Sequence, residues 1–347
     1  MKKKKTTSRA AKRTTMTLLC VMLGLVLVLM LGATVYVEHL LNQMNYLDAD
    51  ETQPYLSQDE ADQLAMQETE AQDPNFTGPQ LRDEDVEFAD TDDIKIGGGK
   101  DVVNILLIGR DAGTGSGARS DAMILCTFNK KNNTITLTSF LRDMYVEIPG
   151  YKRNRINAAY RFGGRKLLNE TIDRNFGIRV DGNIEVDFAC FEKMIDRIGG
   201  IPMELTAAEA KFINTHVRGS ALTEGKHVLT GKQALTYARN RYDRDGDFSR
   251  TNRQRKLLNA LLEIYKSKSL PEVLALIQEF RPMISTDISK SALTGYALSL
   301  LPMLSGAEIR MKAIPVEGGY RYAKIDGKSV LVPDLEKNRK ALEQWLA

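Results

Sequence analysis

Histidine and cysteine are scarce in this chain of 347 residues, which limits the chemistry open to it. The histidines are His39, His216 and His227. No Ser-His-Asp or Cys-His arrangement is evident around them, so a histidine base that activates a serine or cysteine nucleophile is poorly supported. The cysteines are Cys20, Cys126 and Cys190. Their spacing does not match a zinc site.

Two of these cysteines, Cys126 and Cys190, lie in apolar segments, which indicates buried thiols. A disulfide between them stays open as an alternative, because that part of the chain is expected outside the cell and the sequence gives no geometry. A P-loop for nucleotide phosphates is also lacking, since the glycines at 113, 115 and 117 are not followed by Gly-Lys-Ser/Thr.

The N-terminal residues predict a membrane anchor. Met16 to Val37 is a run of 22 residues without a charge, and at about 1.5 Å per residue a helix of that length crosses the roughly 30 Å hydrocarbon layer. Residues 1–15 carry seven basic and no acidic side chains, so they are expected in the cytoplasm and the rest outside. A cleaved signal peptide is the alternative, but its apolar region would normally be about 7–15 residues long. We expect a retained transmembrane helix at 16–37.

An acidic segment follows the anchor. Residues 38–94 hold 17 acidic side chains and one arginine, with three prolines and few apolar residues. Such a composition does not bury enough surface to fold alone, and like charges extend the chain. The sequence therefore predicts a disordered stalk at 38–97 that lifts the remaining domain, 98–347, away from the membrane.

The domain at 98–347 shows strands that alternate with helices. Apolar and β-branched runs predict strands at 101–109, 122–129, 134–140, 201–205, 309–314 and 328–332. Periodic patterns predict helices at 165–176, 187–198, 206–217, 230–239, 250–267, 271–281, 288–303 and 334–346. This order indicates an α/β fold, an α-β-α sandwich around a mixed central β-sheet.

The densest functional signal is a group of six arginines between residues 237 and 255, just before an amphipathic helix. The guanidinium donates two parallel hydrogen bonds and keeps its charge, so such a cluster suits a multiply charged phosphate. The apolar stripe of the helix extends backward to Gln254 and Arg250, with Arg253 on its flank. A buried arginine needs an anionic partner. Both a protein carboxylate such as Asp247 and a ligand phosphate remain open.

Other charged residues follow predicted strands. Asp111 comes directly after the first strand, and Asp121 lies beyond the glycine-rich loop. Two such carboxylates could hold Mg²⁺ together with phosphate oxygens. Arg142 and Asp143 follow the third strand, where a salt bridge is the simpler interpretation, and Arg155 adds a further donor.

Together these segments resemble the LytR-CpsA-Psr family. The resemblance rests on the motifs N-I-L-L-I-G-R-D, A-R-S-D, S-F-L-R-D, R-I-N-A-A-Y-R-F-G-G, L-T-G-K-Q-A-L-T-Y-A-R-N-R, D-G-D-F-S-R and R-Q-R, in this order. It covers residues 100–265 closely and the rest of the domain more loosely. In the usual family motif Ile-Pro precedes Arg-Asp, whereas here Phe140 and Leu141 do. The arginine and aspartate are kept.

The resemblance implies a membrane-anchored transferase on the outer face of a Gram-positive cell. Such an enzyme moves an anionic glycopolymer from a polyprenyl pyrophosphate carrier to peptidoglycan, at the C6 hydroxyl of N-acetylmuramic acid, and releases polyprenyl phosphate. It also implies a hydrophobic pocket for the polyprenyl chain. A pyrophosphate hydrolase and a non-catalytic lipid-phosphate-binding or regulatory module are the alternatives. Nucleic acid is not expected as a partner, because the arginines lie outside the cell.

The resemblance also implies roles for individual residues in these motifs. Asp111 and Asp121 match the metal-binding aspartates, for Mg²⁺ with Mn²⁺ as the alternative. The resemblance places further residues around the pyrophosphate: Arg142, Arg155, Arg239, Arg241, Arg250, Arg253 and Gln254. Of these, Arg142, Arg239 and Arg241 are expected to be catalytic, with Asp143 as a further catalytic residue. One of Asp111, Asp121 and Asp143 would accept the proton of the attacking hydroxyl.

Overall fold

A computed structural model describes residues 45–46, 55–66, 78–88, 95–110, 120–240, 246–266, 272, 275, 279–280, 283–304 and 306–346. The predicted cytoplasmic tail and transmembrane helix, residues 1–37, lie outside these ranges. Within the ranges, no helix combines the length and the hydrophobicity that crossing a membrane requires.

Strands and helices alternate along most of the described chain. The strands are β1 (Asn45–Tyr46), β2 (Gln80–Leu81), β3 (Val102–Arg110), β4 (Ser120–Asn129), β5 (Thr134–Phe140), β6 (Tyr145–Val146), β7 (Asn154–Arg155), β8 (Gly182–Asp187), β9 (Ile201–Leu205), β10 (Gly225–Leu229), β11 (Ile284–Thr286), β12 (Glu308–Ile314), β13 (Tyr320–Ile325) and β14 (Lys328–Pro333). The helices are α1 (Gln58–Met66), α2 (Ile156–Phe176), α3 (Phe188–Arg197), α4 (Ala207–His216), α5 (Gly231–Arg239), α6 (Gly246–Lys266), α7 (Lys290–Leu304) and α8 (Leu335–Leu346).

The fold is mixed α/β, with a mixed central sheet. The strand order is β1-β11-β8-β3-β4-β5-β12. The hairpins β3-β4 and β4-β5 are antiparallel, whereas β8 and β12 pair in parallel with β3 and β5. Since β3 and β5 both run antiparallel to β4, their carboxyl ends meet at one end of the sheet.

Both faces of the central sheet are covered, because its strands carry apolar residues in both alternating positions. On one face Leu106 and Met123 belong to a core with Leu168 of α2 and Leu342 of α8, all of them fully buried or nearly so. On the other face Leu137 belongs to a separate core with residues of α7. The prediction of an α/β domain with a mixed sheet is thereby confirmed.

A second unit carries the arginine-rich segment. Helices α3, α4, α5 and α6 pack with the β9-β10 hairpin around their own core, which includes Ile195, Ile213, Tyr237 and Leu257. Thr206 and Thr230 begin α4 and α5 as reciprocal caps with Glu209 and Gln233. These caps satisfy free N–H groups and fix where each helix starts.

Parts of the acidic segment 38–97 differ from the predicted disordered stalk. Strand β1 pairs with β11, and α1 packs on the domain with Ala61 buried. The Leu56 N–H donates to the carbonyl of Phe162 over 2.9 Å, and Lys152 donates to Asp62 over 2.8 Å. Composition averaged over the segment hides these few apolar and paired positions, which are enough to hold short stretches against an existing surface.

The two cysteines of the domain are free and buried. A disulfide between Cys126 and Cys190 is therefore not formed, and the expectation of buried thiols is confirmed. Burial raises the pKa of Cys126 to about 12 and, with Asp187 nearby, that of Cys190 to about 11. Neither thiol has appreciable thiolate character at neutral pH.

Candidate active site

The end of the central sheet where β3 and β5 terminate carries the candidate site. Arg110, the last residue of β3, is paired with Asp187 at the end of β8 and with Ser120 at the start of β4. Strand β5 ends at Phe140, two residues before Arg142. The topology thus brings four chain segments to this C-terminal edge of the sheet, where β3, β5 and β8 end. This is the usual place for ligands in open α/β sheets.

Arg142, Asp143 and Arg155 form a buried ionic group at this edge. The Nε atoms of Arg142 and Arg155 lie 3.4 and 3.7 Å from the same oxygen, Oδ1 of Asp143. The two arginines are only 8% and 6% exposed. Asp143 therefore offsets one of the two positive charges and orients both guanidinium groups. This contact fits a positioning role better than the catalytic proton-transfer role considered for Asp143 from the sequence.

Backbone contacts fix this group in place. The Asp143 carbonyl accepts a hydrogen bond from the Leu331 N–H at 2.9 Å, and Arg155 donates from Nη2 to the carbonyl of Ser329 at 2.9 Å. Strands β6 and β7 pair next to it, with Tyr145 opposite Arg155. Strand β14 therefore holds the Arg155 side chain and the Asp143 backbone, which limits the rotamer freedom of Arg155 before any ligand binds.

A second buried polar group lies beneath the same edge. Tyr160 donates from its hydroxyl to Oε2 of Glu185 at 3.0 Å, and Arg110 Nε lies 4.0 Å from that oxygen. Burial raises the pKa of Glu185, while the Tyr160 hydrogen bond and the charges of Arg165 and Arg110 act in the opposite direction. No motif in the sequence indicates Glu185, because that residue lies in a short strand without a recognisable pattern.

Glycines after Tyr160 interrupt helix α2. Gly163 and Gly164 have non-helical backbone angles, and Gly164 has φ 62°, which favours glycine. At Gly163 a Cβ atom would lie 2.8 Å from the ring of Tyr55. The Gly-Gly pair of the motif thus permits a break in the helix and close approach of the segment that precedes α1.

The arginine-rich segment reaches the same edge through α5. Arg239 is the last residue of α5 and is exposed. Its guanidinium carbon lies 5.0 Å from the ring centroid of Phe188, the first residue of α3 and the neighbour of Asp187. A cation over an aromatic face is held in place while its outer N–H groups stay accessible. Arg239 thus lies at the edge marked by Arg110.

Arg253, by contrast, is directed inward. It is 4% exposed, donates from Nε to Oε1 of Glu209 at 2.9 Å, and donates from Nη1 to the carbonyl of Asn240 at 3.0 Å. The sequence suggested Asp247 as the protein carboxylate for the inward arginines, and for Arg253 the carboxylate is Glu209. Arg253 thus holds Asn240, the residue between Arg239 and Arg241, and its predicted contact with the pyrophosphate stays a prediction.

Burial alone would raise the pKa of Glu209, but hydrogen bonds from the Thr206 N–H and from Arg253 lower it overall. The carboxylate therefore stays ionised in the interior. The Tyr237 ring lies beside the same arginine at 5.9 Å. Burial and the Glu209 charge raise the pKa of Tyr237 to about 12, so its hydroxyl is neutral near pH 7.

The structure describes the remaining predicted site residues only in part. Asp111 and Arg241 lie outside the described residues. Arg250 and Gln254 lie in α6, where Gln254 is partly buried and only the backbone of Arg250 is described. The backbone of Asp121 lies in β4 at a bulge, since Gly109 pairs with Ala122 and Arg110 with Ser120. Bulges of this kind are common beside active sites.

No group of three or more acidic, histidine or cysteine side chains that could hold a metal ion is present among the described residues. The predicted ligand pair, Asp111 and Asp121, falls outside the described side chains, so it stays a prediction. On the backbone, Asp121 is level with Arg110, the neighbour of Asp111. Two carboxylates at one sheet edge are a donor set that suits Mg²⁺.

The face of the central sheet that is turned toward α6 and α7 is covered less completely than the other face. The residues there are partly buried: Leu107, Ile124, Phe128, Leu258, Tyr296, Ile309 and Met311. On the opposite face Leu106, Ile108, Met123 and Leu125 are fully buried or nearly so. The contrast indicates that the apolar residues between the sheet and helices α6 and α7 are less tightly covered than the core on the opposite face.

Comparison with known proteins supports this description. The model of the LytR_cpsA_psr family matches residues 62–345. Regulatory protein MsrR of Staphylococcus aureus is 31% identical over 252 residues, which are 70% of this chain and 74% of MsrR. The polyisoprenyl-teichoic acid–peptidoglycan teichoic acid transferase TagT of Bacillus subtilis is 36% identical over 182 residues, which are 50% of this chain and 56% of TagT.

A solved structure extends the likeness to three dimensions. The TagT structure with bound octaprenyl pyrophosphate lipid is 25% identical in sequence and superposes with a TM-score of 0.55. The match covers 78% of this chain and 97% of that one. The resemblance noted from the sequence motifs is therefore confirmed by a family model, by curated relatives and by structure.

Proposed function

This chain belongs to the LytR-CpsA-Psr family, and we propose that it is a phosphotransferase for cell-wall glycopolymers. In this proposal it moves an anionic glycopolymer from a polyprenyl pyrophosphate carrier to peptidoglycan, at the C6 hydroxyl of N-acetylmuramic acid, and releases polyprenyl phosphate. The observation that carries the proposal is the pair of buried arginines, Arg142 and Arg155, held by Asp143 beside a partly open apolar face.

The arginines supply what the chemistry needs. Displacement at phosphorus spreads negative charge over several oxygens, and fixed donors that need no reorganisation stabilise that charge. Arg142 and Arg155 are oriented by Asp143, Arg155 is also held by β14, and Arg239 adds an exposed guanidinium. The hydroxyl oxygen forms the new bond to phosphorus, and the bond from that phosphorus to polyprenyl phosphate breaks.

The hydroxyl proton needs an acceptor at the same edge. Asp143 is engaged by two arginines through one oxygen, which leaves it poorly suited to take that proton. Asp111 and Asp121 remain the other candidates for the proton acceptor. Asp111 and Asp121 would hold Mg²⁺ or Mn²⁺, which would screen charge on the phosphate oxygens.

The partly open apolar face suits the isoprenoid chain of the carrier. Leu107 of β3 and Phe128 of β4 pack with Tyr296 of α7 between the sheet and that helix. Both strands reach the end of the sheet where Arg110 lies. The relative with octaprenyl pyrophosphate bound supports this assignment. The carrier is a membrane lipid, which fits a single-pass anchor with its domain on the outer face of a Gram-positive cell.

A regulatory module is the second candidate, because relatives include Regulatory protein MsrR and Biofilm regulatory protein A. A product analysis separates the candidates. The full chain is incubated with a polyprenyl-pyrophosphate-linked saccharide, Mg²⁺ and uncrosslinked peptidoglycan, and mass spectrometry follows both products. A phosphodiester-linked glycan with equimolar polyprenyl phosphate supports the transferase. Polyprenyl phosphate without linked glycan indicates a hydrolase, and tight lipid binding without turnover indicates the module.

A further inference from the structure

Strand β1, which lies close in sequence to the predicted anchor, is an edge strand of the central sheet. Asn45 and Tyr46 pair in parallel with Ser285 and Thr286 of β11. The Lys290 ammonium lies 5.2 Å from the ring centroid of Tyr46 and covers it. The sheet of the domain therefore begins with residues that follow the predicted transmembrane helix by only a few positions.

The pairing registers show the direction from which the chain arrives. Ser285, the partner of Asn45, also pairs with Glu185, and Glu185 pairs with Ile108 of β3. Asn45 is thus level with Ile108, and Tyr46 is one step farther from Arg110. Since β1 runs opposite to β3, the chain before Asn45 leaves the sheet at the end that carries Arg110 and Arg142.

The remaining length is short. Asn45 comes eight positions after Val37, the end of the apolar run, and eight fully extended residues span at most about 29 Å. Sixteen of the 17 acidic residues in 38–94 come after Tyr46, not before it. Most of the acidic segment therefore follows β1, and only residues 38–44 connect the predicted anchor to the sheet.

We propose that β1 fixes the domain close to the outer leaflet, with the candidate-site end of the sheet turned toward the lipid surface. The inference rests on the predicted anchor and deepens the proposed function, because the pyrophosphate of a membrane-embedded carrier lies at that surface. It replaces the expectation of a stalk that lifts the domain. Most of the acidic segment then follows β1 and contacts the domain again at α1 and β2.

The test measures orientation in the full chain. Protein with Cys20 replaced by alanine is reconstituted in vesicles of phosphatidylglycerol and phosphatidylethanolamine that carry a headgroup acceptor dye. A donor dye is attached at Ala189→Cys, just after β8 at the site end, or at Lys131→Cys in the β4-β5 turn at the other end. Both positions are exposed, whereas Cys126 and Cys190 are buried.

The site-end label is expected to transfer more energy to the lipid dye. The two ends of β3, Arg110 and Val102, are eight residues apart, so the labels differ in height by up to about 26 Å. Equal transfer from the two positions, or more transfer from Lys131→Cys, overturns the proposal. The fluorescence readout requires no turnover. If the site-end label shows the higher energy transfer but the transferase assay gives no product, the proposed function is rejected and the proposed orientation stands.

Matched insertions test the role of β1 itself. A 20-residue Gly-Ser insertion after residue 41 lengthens the connection before β1 by an r.m.s. of about 25 Å, and we expect it to lower transfer from Ala189→Cys. The same insertion after residue 50 follows β1, and we expect no change. Equal effects of the two insertions would mean that the acidic segment carries the domain and would overturn the proposal. A chain that does not sediment with vesicles would reject the anchor itself.

Discussion

Arg253 donates a hydrogen bond from Nε to Oε1 of Glu209 over 2.9 Å, and both side chains are almost completely buried. The same guanidinium holds the carbonyl of Asn240. This contact joins α6 to α4 and fixes the chain between Arg239 and Arg241. Arg253, which the motifs assign to the pyrophosphate, thus positions the backbone next to Arg239 through buried contacts.

We predict that Arg253→Ala destabilises the protein by about 3 kcal/mol, because it leaves the Glu209 carboxylate buried without its ionic partner. Urea unfolding followed by circular dichroism measures the loss. Arg310→Ala is the matched control, since Arg310 forms an exposed pair with Glu308 and its removal should leave the midpoint unchanged. An Arg253→Ala midpoint equal to that of the control would contradict the assigned role.

The same pair predicts an acid dependence. In the folded protein the pKa of Glu209 is below its ordinary value of 4.5, so the folded state binds fewer protons here than the unfolded chain. The stabilisation is complete above that ordinary value and is lost as pH falls through the folded pKa. The loss of stability in Glu209→Gln should therefore be largest near neutral pH and shrink below about pH 4. A difference independent of pH from 7 to 3 would argue against it.

Glu185 should show the opposite trend. Burial raises its pKa above the ordinary 4.5, so the folded protein holds the proton longer than the unfolded chain does. Stability from this group is complete at low pH and declines as pH rises from that ordinary value through the folded pKa. Relative to wild type, Glu185→Gln should gain stability as pH is raised from about 4 to 8. Unfolding midpoints across that range test the sign, and a falling relative stability would reject it.

Asp143 offers a test of positioning against proton transfer. We expect Asp143→Asn to lower kcat/KM by about 10- to 100-fold, because two charge-assisted contacts to Arg142 and Arg155 weaken. The shape of the pH–rate profile should be retained, since another group takes the proton. Loss of the acidic limb of that profile in Asp143→Asn would instead identify Asp143 as the general base.

Much of the fold is readable from the sequence where the pattern is local. Strand β5 has the predicted bounds 134–140, and β9 has the predicted bounds 201–205. Helices α5 and α8 begin one residue later than predicted, and α3 is one residue shorter at each end. Long apolar runs, caps and helical periodicity determine these elements with little help from distant residues.

Elements that depend on distant partners were missed. The first turns of α2 were not predicted, because Gly163 and Gly164 interrupt the periodicity. Strand β8 begins with a glycine and carries charged residues, and β1 is two residues long and exists through pairing with β11. In such segments tertiary contacts override local preference.

The candidate site shows the same division. The motifs led to Arg142, Asp143 and Arg155, which the structure brings together at one edge. The inward role of Arg253 and the buried group around Glu185 could not be read from spacing, because both depend on carboxylates far away in the chain. A helix phase shows which way an arginine points but does not identify its partner.

The transfer reaction itself tests the central claim most directly. Wild type, Arg142→Ala and the exposed control Arg310→Ala would be compared for formation of phosphodiester-linked glycan from a polyprenyl-pyrophosphate donor and a peptidoglycan acceptor. We predict product from wild type and control, and a rate about 100- to 1,000-fold lower in Arg142→Ala, as for loss of one fixed donor to a transition-state charge. Equal rates in Arg142→Ala and Arg310→Ala would contradict this assignment of the site.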